Sequence, residues 1–159
     1  SLGPAPTAAP SAGGGAKTPS LGAGDAKVVA LIVAPTEETD ILGPQLHSAL
    51  QAQGLKFGEG EVYHRMIGGR IVYSVAGLIK PGKLIPAEAA DFSTRGLTVV
   101  LQLPGPVQGD VAFDDMATTT RALAAALKAA VFDMRRQPLT DDIAAGLRAD
   151  VADWVRNRA

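Results

Sequence analysis

GLTVVLQLPG, residues 96–105, reads as a strand closed by a turn. Leu97, Val99, Leu101 and Leu103 recur at every second position and share one face. Thr98, Val100 and Gln102 share the other. Thr98 and Gln102 suit a solvent-facing side, whereas Val100 places an apolar side chain in its middle. Pro104-Gly105 ends the run. The fold reading turns on what lies against each face of this strand.

Outward from it, KVVALIVA (27–34) is an unbroken apolar, β-branched run and predicts a central strand. Gly43-Pro44 opens a helix that Gly54 stops, with Leu46, Ala49, Leu50 and Gln53 on one side. His47, on the same helix, is expected to be solvated. EVYHRMIGGRIVYSVA predicts two strands around Gly68-Gly69. A Pro/Gly-broken connector follows, with one helical turn at 86–90. Asp110 is expected to cap a helix running to about Lys128, with Phe113, Met116, Leu123 and Leu127 inward. AVFDM (130–134) predicts a short strand. Thr140 caps a last helix striped by Ile143, Leu147, Val151, Trp154 and Val155. The order β-α-β-β-β-α-β-α points to an α+β sandwich, one antiparallel sheet with helices on one face. The other face is then bare, and Val100 lies on it.

Residues 1–25 are mostly Pro, Ala, Gly and Ser with two charges, and are expected to form a flexible linker. The globular domain is expected to span 26–159. The formal net charge of -1 gives no basic excess to drive polyanion binding, so nucleic acid is a poor partner. Absence of cysteine excludes disulfides, thiol catalysis and thiolate metal sites, and only two histidines argue against a histidine-rich zinc centre. No apolar run reaches the ~18–20 residues that span a bilayer.

Motifs for chemistry are missing. There is no Walker loop, no strand-following G-x-G-x-x-G and no G-x-S-x-G elbow. His64, mid-strand beside Arg65, reads as a surface or hairpin-packing residue rather than a base. Asp114-Asp115 and Asp141-Asp142 point about 100° apart on their helices, and dipole or capping roles account for them. Arg135-Arg136 reads equally as a solvated turn or a partner contact. Trp154 reads as core. No catalytic residue, cofactor or metal is expected, and the chain reads as non-enzymatic.

What remains is the bare sheet face. Val28 and Ala30 share one parity of the first strand. Ala76 and Leu78 do so near the third, with Lys80 just beyond. Thr98, Val100 and Gln102 supply the strand opened on. Val62 joins them if its strand has the matching parity, which the sequence leaves open. These residues make a small apolar groove with a cationic rim, and such a patch marks a binding site.

FGEGEVYHR, YSVAGLIKPG, DFSTRGLTVVLQLPG and FDMRRQPLT occur in this order, and in combination they resemble the C-terminal domain of the bacterial division protein family ZipA. The resemblance runs from about Lys27 to the C-terminus. It implies a split β-α-β fold, a six-stranded antiparallel sheet with three helices on one face and the other face open. It implies that this face binds the C-terminal tail of the tubulin-like protein FtsZ. By position the groove comprises Val28, Ala30, Val62, Ala76, Leu78, Lys80, Thr98 and Val100, with Arg135 near its end; Arg135 and Val62 rest chiefly on the resemblance. Gly60, Leu78 and Val100 stand where relatives carry larger residues, which implies a shallower groove. The family implies an inner-membrane anchor and a Pro-rich linker ahead of a domain facing the cytoplasm at the division site, and residues 1–25 look like the end of that linker. The alternative is a single-stranded RNA module on the same sheet face. That use needs aromatic platforms and positive charge, and this chain has 4% aromatics.

Overall fold

A computed structural model describes residues 26–158; the expected linker, 1–25, lies outside them. The elements run β1 (Lys27–Pro35), β2 (Ile41–Leu42), α1 (Gly43–Ala52), β3 (Lys56–Gly58), β4 (Val62–Ile67), β5 (Arg70–Gly77), β6 (Ser93–Thr94), β7 (Leu97–Leu103), α2 (Gly109–Ala126), β8 (Ala129–Phe132) and α3 (Asp141–Arg158). The sheet has six strands in the order β3-β4-β5-β7-β1-β8, and its neighbours pair antiparallel. β2 and β6 form a separate two-stranded piece. The α+β class with a six-stranded antiparallel sheet is as expected. The short strands β2, β3 and β6 escaped the sequence reading because two or three residues carry no measurable alternation.

The strand faces separate cleanly. Val29, Leu31 and Val33 of β1 join Leu97, Val99, Leu101 and Leu103 of β7 and Tyr63, Tyr73 and Val75 of β4 and β5 in one buried cluster. Leu46, Ala49 and Leu50 of α1, Phe113, Met116 and Leu123 of α2 and Val151 of α3 complete it. All three helices therefore cover one face of the sheet. Each branched side chain buried there contributes about 1.5–3 kcal/mol, so this face carries the stability of the fold. Trp154 packs half-buried against the same cluster, as expected.

Local chemistry sets the turns. Gly68 and Gly69 both have positive φ, 55° and 78°, as a two-residue hairpin turn requires. The β4–β5 ladder slips between Arg65 and Met66. Arg65 faces Tyr73 and Met66 faces Ile71, so Val72 is an extra residue on β5. Thr140 caps α3, its Oγ1 accepting the Ile143 N–H at 3.2 Å. Asp110 does not cap α2. The helix starts one residue earlier, at Gly109, and the Asp110 carboxylate accepts from the Gln108 side chain at 2.7 Å. A residue inside the first turn favours the helix dipole without reaching the cap geometry.

Candidate functional site

The sheet register decides which residues share the uncovered face. Ala30 faces Val100 across β1 and β7, and Val100 faces Ser74 across β7 and β5. Ser74 faces His64 on β4. One step along, Ile32 faces Thr98, Thr98 faces Ala76, and Phe132 faces Ile32 from β8. Val28 faces Gln102 at the other end. The strands thus bring Val28, Ala30, Ala76, Thr98 and Val100 onto one surface, the face away from the helices. His64 and Val62 are two apart on β4, so Val62 belongs to the same face. The ladder supplies the parity that the sequence left open.

Leu78 lies just past β5, and its N–H donates to the Gly96 carbonyl at 2.9 Å. This bond continues the β5–β7 ladder by one residue and keeps Leu78 in phase with Ala76. Gly96 makes that possible. A Cβ there would sit 2.6 Å from the Val33 carbonyl oxygen and 3.2 Å from Leu78 Cδ2. The leucine therefore lies across a position with no side chain. The loop that follows closes on itself, the Gly77 N–H donating to the Gly82 carbonyl at 2.8 Å, and it holds Lys80 out in solvent.

Arg135 lies in the turn after β8, at the sheet edge. The turn is built around Asp133, a nearly buried carboxylate whose Oδ1 accepts the N–H groups of Arg135 and Gln137, each at 2.9 Å. Lys80 and Arg135 therefore stand on different margins of the face, one beyond the end of a central strand and one along the outer edge. Among the described residues neither side chain makes an ion pair.

Four members of this face escaped the sequence reading. Ile32 is 3% exposed yet lies outside the helix-side cluster. It forms a floor between Phe132 and Thr98. Phe132, half-buried, belongs to a strand too short to show parity. His64 was hidden by the hairpin's undetermined register, whereas Ser74 continues the alternation of Ala76 and Leu78. His64 is 6% exposed, with Nδ1 2.7 Å from Ser74 Oγ and Nε2 2.7 Å from the Glu59 carbonyl oxygen. Burial holds its pKa below the usual histidine value, against an opposing pull from Glu59. For Ile32 the signal was available, since it continues the alternation of Val28 and Ala30.

His47 corrects another expectation. It is 5% exposed, and its Nδ1 lies 2.7 Å from the Tyr63 hydroxyl. Gly43, Leu46, His47 and Leu50 line the inward side of α1 at helical spacing, so the apolar stripe includes the imidazole. Burial lowers its pKa as well.

On the helix side, Arg65 ties the sheet to α1 and α2. It donates to the Gln53 carbonyl at 2.7 Å, Thr119 Oγ1 at 2.8 Å and Asp115 Oδ2 at 3.0 Å. The Tyr73 hydroxyl lies 2.7 Å from the same Asp115 oxygen, and burial together with that carboxylate pushes the phenol up to about 12. Asp114 pairs instead with Arg148 of α3, at 2.8 Å. The Asp114-Asp115 doublet thus makes two separate ion pairs rather than a dipole or cap contact. Among the described residues no group of three or more His, Cys, Asp or Glu gathers as metal ligands, and no helix is long and apolar enough to cross a membrane.

Comparison with known proteins identifies the family. The family model described as ZipA, C-terminal FtsZ-binding domain, matches residues 27–150. The cell division protein ZipA of Pseudomonas aeruginosa (strain LESB58) is 34% identical over 134 residues, 82% of this chain and 46% of the relative. That of Pseudomonas paraeruginosa is 33% identical over 148 residues, 88% and 51% respectively. That of Vibrio vulnificus (strain YJ016) is 30% identical over 132 residues, 80% and 42%. The chain spans about half the length of these curated relatives or less. The matched segment begins with β1 and extends into α3, taking in the whole sheet and all the residues gathered on its uncovered side, and the chain belongs to the ZipA C-terminal FtsZ-binding domain family.

Proposed function

We propose that this domain is a non-enzymatic division adaptor that binds the C-terminal tail of FtsZ on its uncovered sheet face. Within a longer, membrane-anchored protein it would tether FtsZ polymers to the cytoplasmic side of the inner membrane at the septum. The observation that carries this reading is the apolar surface around Val100. Ala30, Ala76, Val62 and Leu78 surround it from other strands and Thr98 from its own, and among the described residues no helix packs over it. Leaving such side chains uncovered forgoes stability that burial would give, about 1.5–3 kcal/mol for a valine or leucine. A binding partner restores it.

Apolar residues of the tail would lie over Val100, Val62 and Leu78, with Ala30, Ala76 and Thr98 as a flat floor and Val28 at one end. Lys80 and Arg135 would meet tail carboxylates at the margins. Charges so placed act on association rate and orientation more than on affinity. A tail that orders on binding spends part of its interaction energy doing so, which favours modest affinity. Many tails along one polymer compensate through avidity. The RNA-binding alternative gains no support from this surface. The rings this face carries are Phe132, half-buried on the edge strand, and the buried His64, and stacking platforms need several accessible rings.

Val100→Glu tests the proposal. The variant is expected to fold normally, because Val100 is outside the helix-side cluster, and to lose binding of an FtsZ tail peptide in calorimetry. Unchanged affinity in a folded variant would sink the assignment.

A further inference from the structure

The centre of the uncovered face carries a polar group whose hydrogen-bonding sense is fixed. His64, Ser74 and Val100 stand side by side on β4, β5 and β7. His64 Nε2 is 2.7 Å from the Glu59 carbonyl oxygen. A carbonyl only accepts, so Nε2 carries the proton. Burial favours the neutral ring, and in a neutral ring protonated at Nε2 the other nitrogen is a bare acceptor. Ser74 Oγ lies 2.7 Å from that nitrogen. The serine therefore donates its single proton to His64, and only oxygen lone pairs remain for anything above the sheet. Thr98, diagonally adjacent, has no hydrogen-bond partner for its hydroxyl among the described residues, so it turns either way.

The geometry points to Ser74 as a specificity-determining acceptor that reads a hydrogen-bond donor, N–H or O–H, on the peptide segment lying over Val100. His64 is a positioning residue. It touches no ligand and acts by taking the serine proton, itself held by the Glu59 carbonyl. The assignment rests on the reading that a peptide tail occupies this face. It also divides the surface by chemistry. A carboxylate over Ser74 would set acceptor against acceptor, whereas Lys80 and Arg135 welcome one at the margins. The centre thus selects a donor and turns away an acidic side chain, which fixes the register of an acidic tail by repulsion as well as attraction.

The test is a coupling experiment. FtsZ tail peptides with each backbone amide replaced in turn by an ester, and each side-chain donor by an apolar substitute, are titrated against the wild-type protein and Ser74→Ala. Circular dichroism checks the fold of the variant. One replacement is expected to weaken wild-type binding by roughly three- to tenfold, the worth of one hydrogen bond, and to leave Ser74→Ala binding unchanged. Nitrogen-15 spectra of the free wild-type protein are expected to show His64 protonated at Nε2 with Nδ1 bare. A ring protonated at Nδ1, or replacements that weaken both proteins equally at every position, would overturn the acceptor role while leaving the tail-binding reading intact. Failure of the unmodified peptide to bind the wild-type protein would overturn that reading and this assignment with it.

Discussion

On the helix side β1 presents Val29, Leu31 and Val33; on the other it presents Val28, Ala30 and Ile32. β7 repeats the contrast, with Leu97, Val99, Leu101 and Leu103 against Thr98, Val100 and Gln102. The same strands thus build two surfaces with different rules. The covered side is filled by large branched chains that reach into the helices. The uncovered side is kept low by Ala30, Ser74, Ala76 and Thr98, with a few apolar chains standing on that floor. Each side also holds a polar network. Arg65, Tyr73, Asp115 and Thr119 join sheet to helices, whereas His64 and Ser74 bond across two strands and to a loop carbonyl. Volume on one face specifies the fold, and restraint on the other leaves a surface for a partner.

Substitutions can break this division. The largest effect is expected from Leu101→Ala, which empties a fully buried site and should cost about 2–5 kcal/mol in chemical denaturation. The molecules that remain folded should bind the tail as before. Next comes Tyr73→Phe, which removes the hydroxyl shared by Arg65, Asp115 and Thr119. A loss of about 1–3 kcal/mol is expected, and a neutral result would show that the network orders the helix layer without stabilising it. Val100→Ala should reverse the pattern. Stability should change by under about 1 kcal/mol, while tail affinity falls.

Acid titration gives a smaller effect. Burial lowers the pKa values of both His47 and His64 in the folded state. The unfolded chain therefore takes up protons first as pH falls. Stability contributed by the neutral rings is full above the ordinary histidine value of about 6.5 and is lost as pH drops from there through the folded pKa values. Denaturant midpoints at mildly alkaline and mildly acidic pH would show it, and a midpoint that rises on acidification would contradict it. Smallest of all is Lys80→Ala combined with Arg135→Ala. Stability should not move, and the tail should associate more slowly with a weaker dependence on salt.

Much of this contrast was legible in the sequence. Alternation in residues 97–103 assigned every side chain of β7 to its correct face, and β1 followed from the same parity at Val28 and Ala30. The hairpin was legible as a hairpin but not in register, because its bulge at Val72 breaks the period of two on which such readings depend. That is why Val62 and His64 stayed ambiguous; Ser74 was legible from the alternation with Ala76 but reads as a solvent-facing polar residue. His47 was misread because imidazole counts as polar by type, although a partner such as Tyr63 satisfies it in a core. Asp133 was missed for a related reason. A carboxylate beside two arginines looks like surface charge, yet this one accepts backbone N–H groups and shapes the turn that carries Arg135. Ion pairs between distant segments, such as Arg65 with Asp115, leave no trace in local sequence.

The width of the sheet has a consequence for any chain laid across it. Six strands leave five gaps of about 4.8 Å, or about 24 Å from β3 to β8. A tail crossing that distance needs roughly seven residues if extended and roughly sixteen if helical. The sheet is thus a ruler for its partner. Shortening an FtsZ tail peptide one residue at a time should show affinity falling off near one of these two lengths, and the length at which it falls reads out the shape the tail adopts.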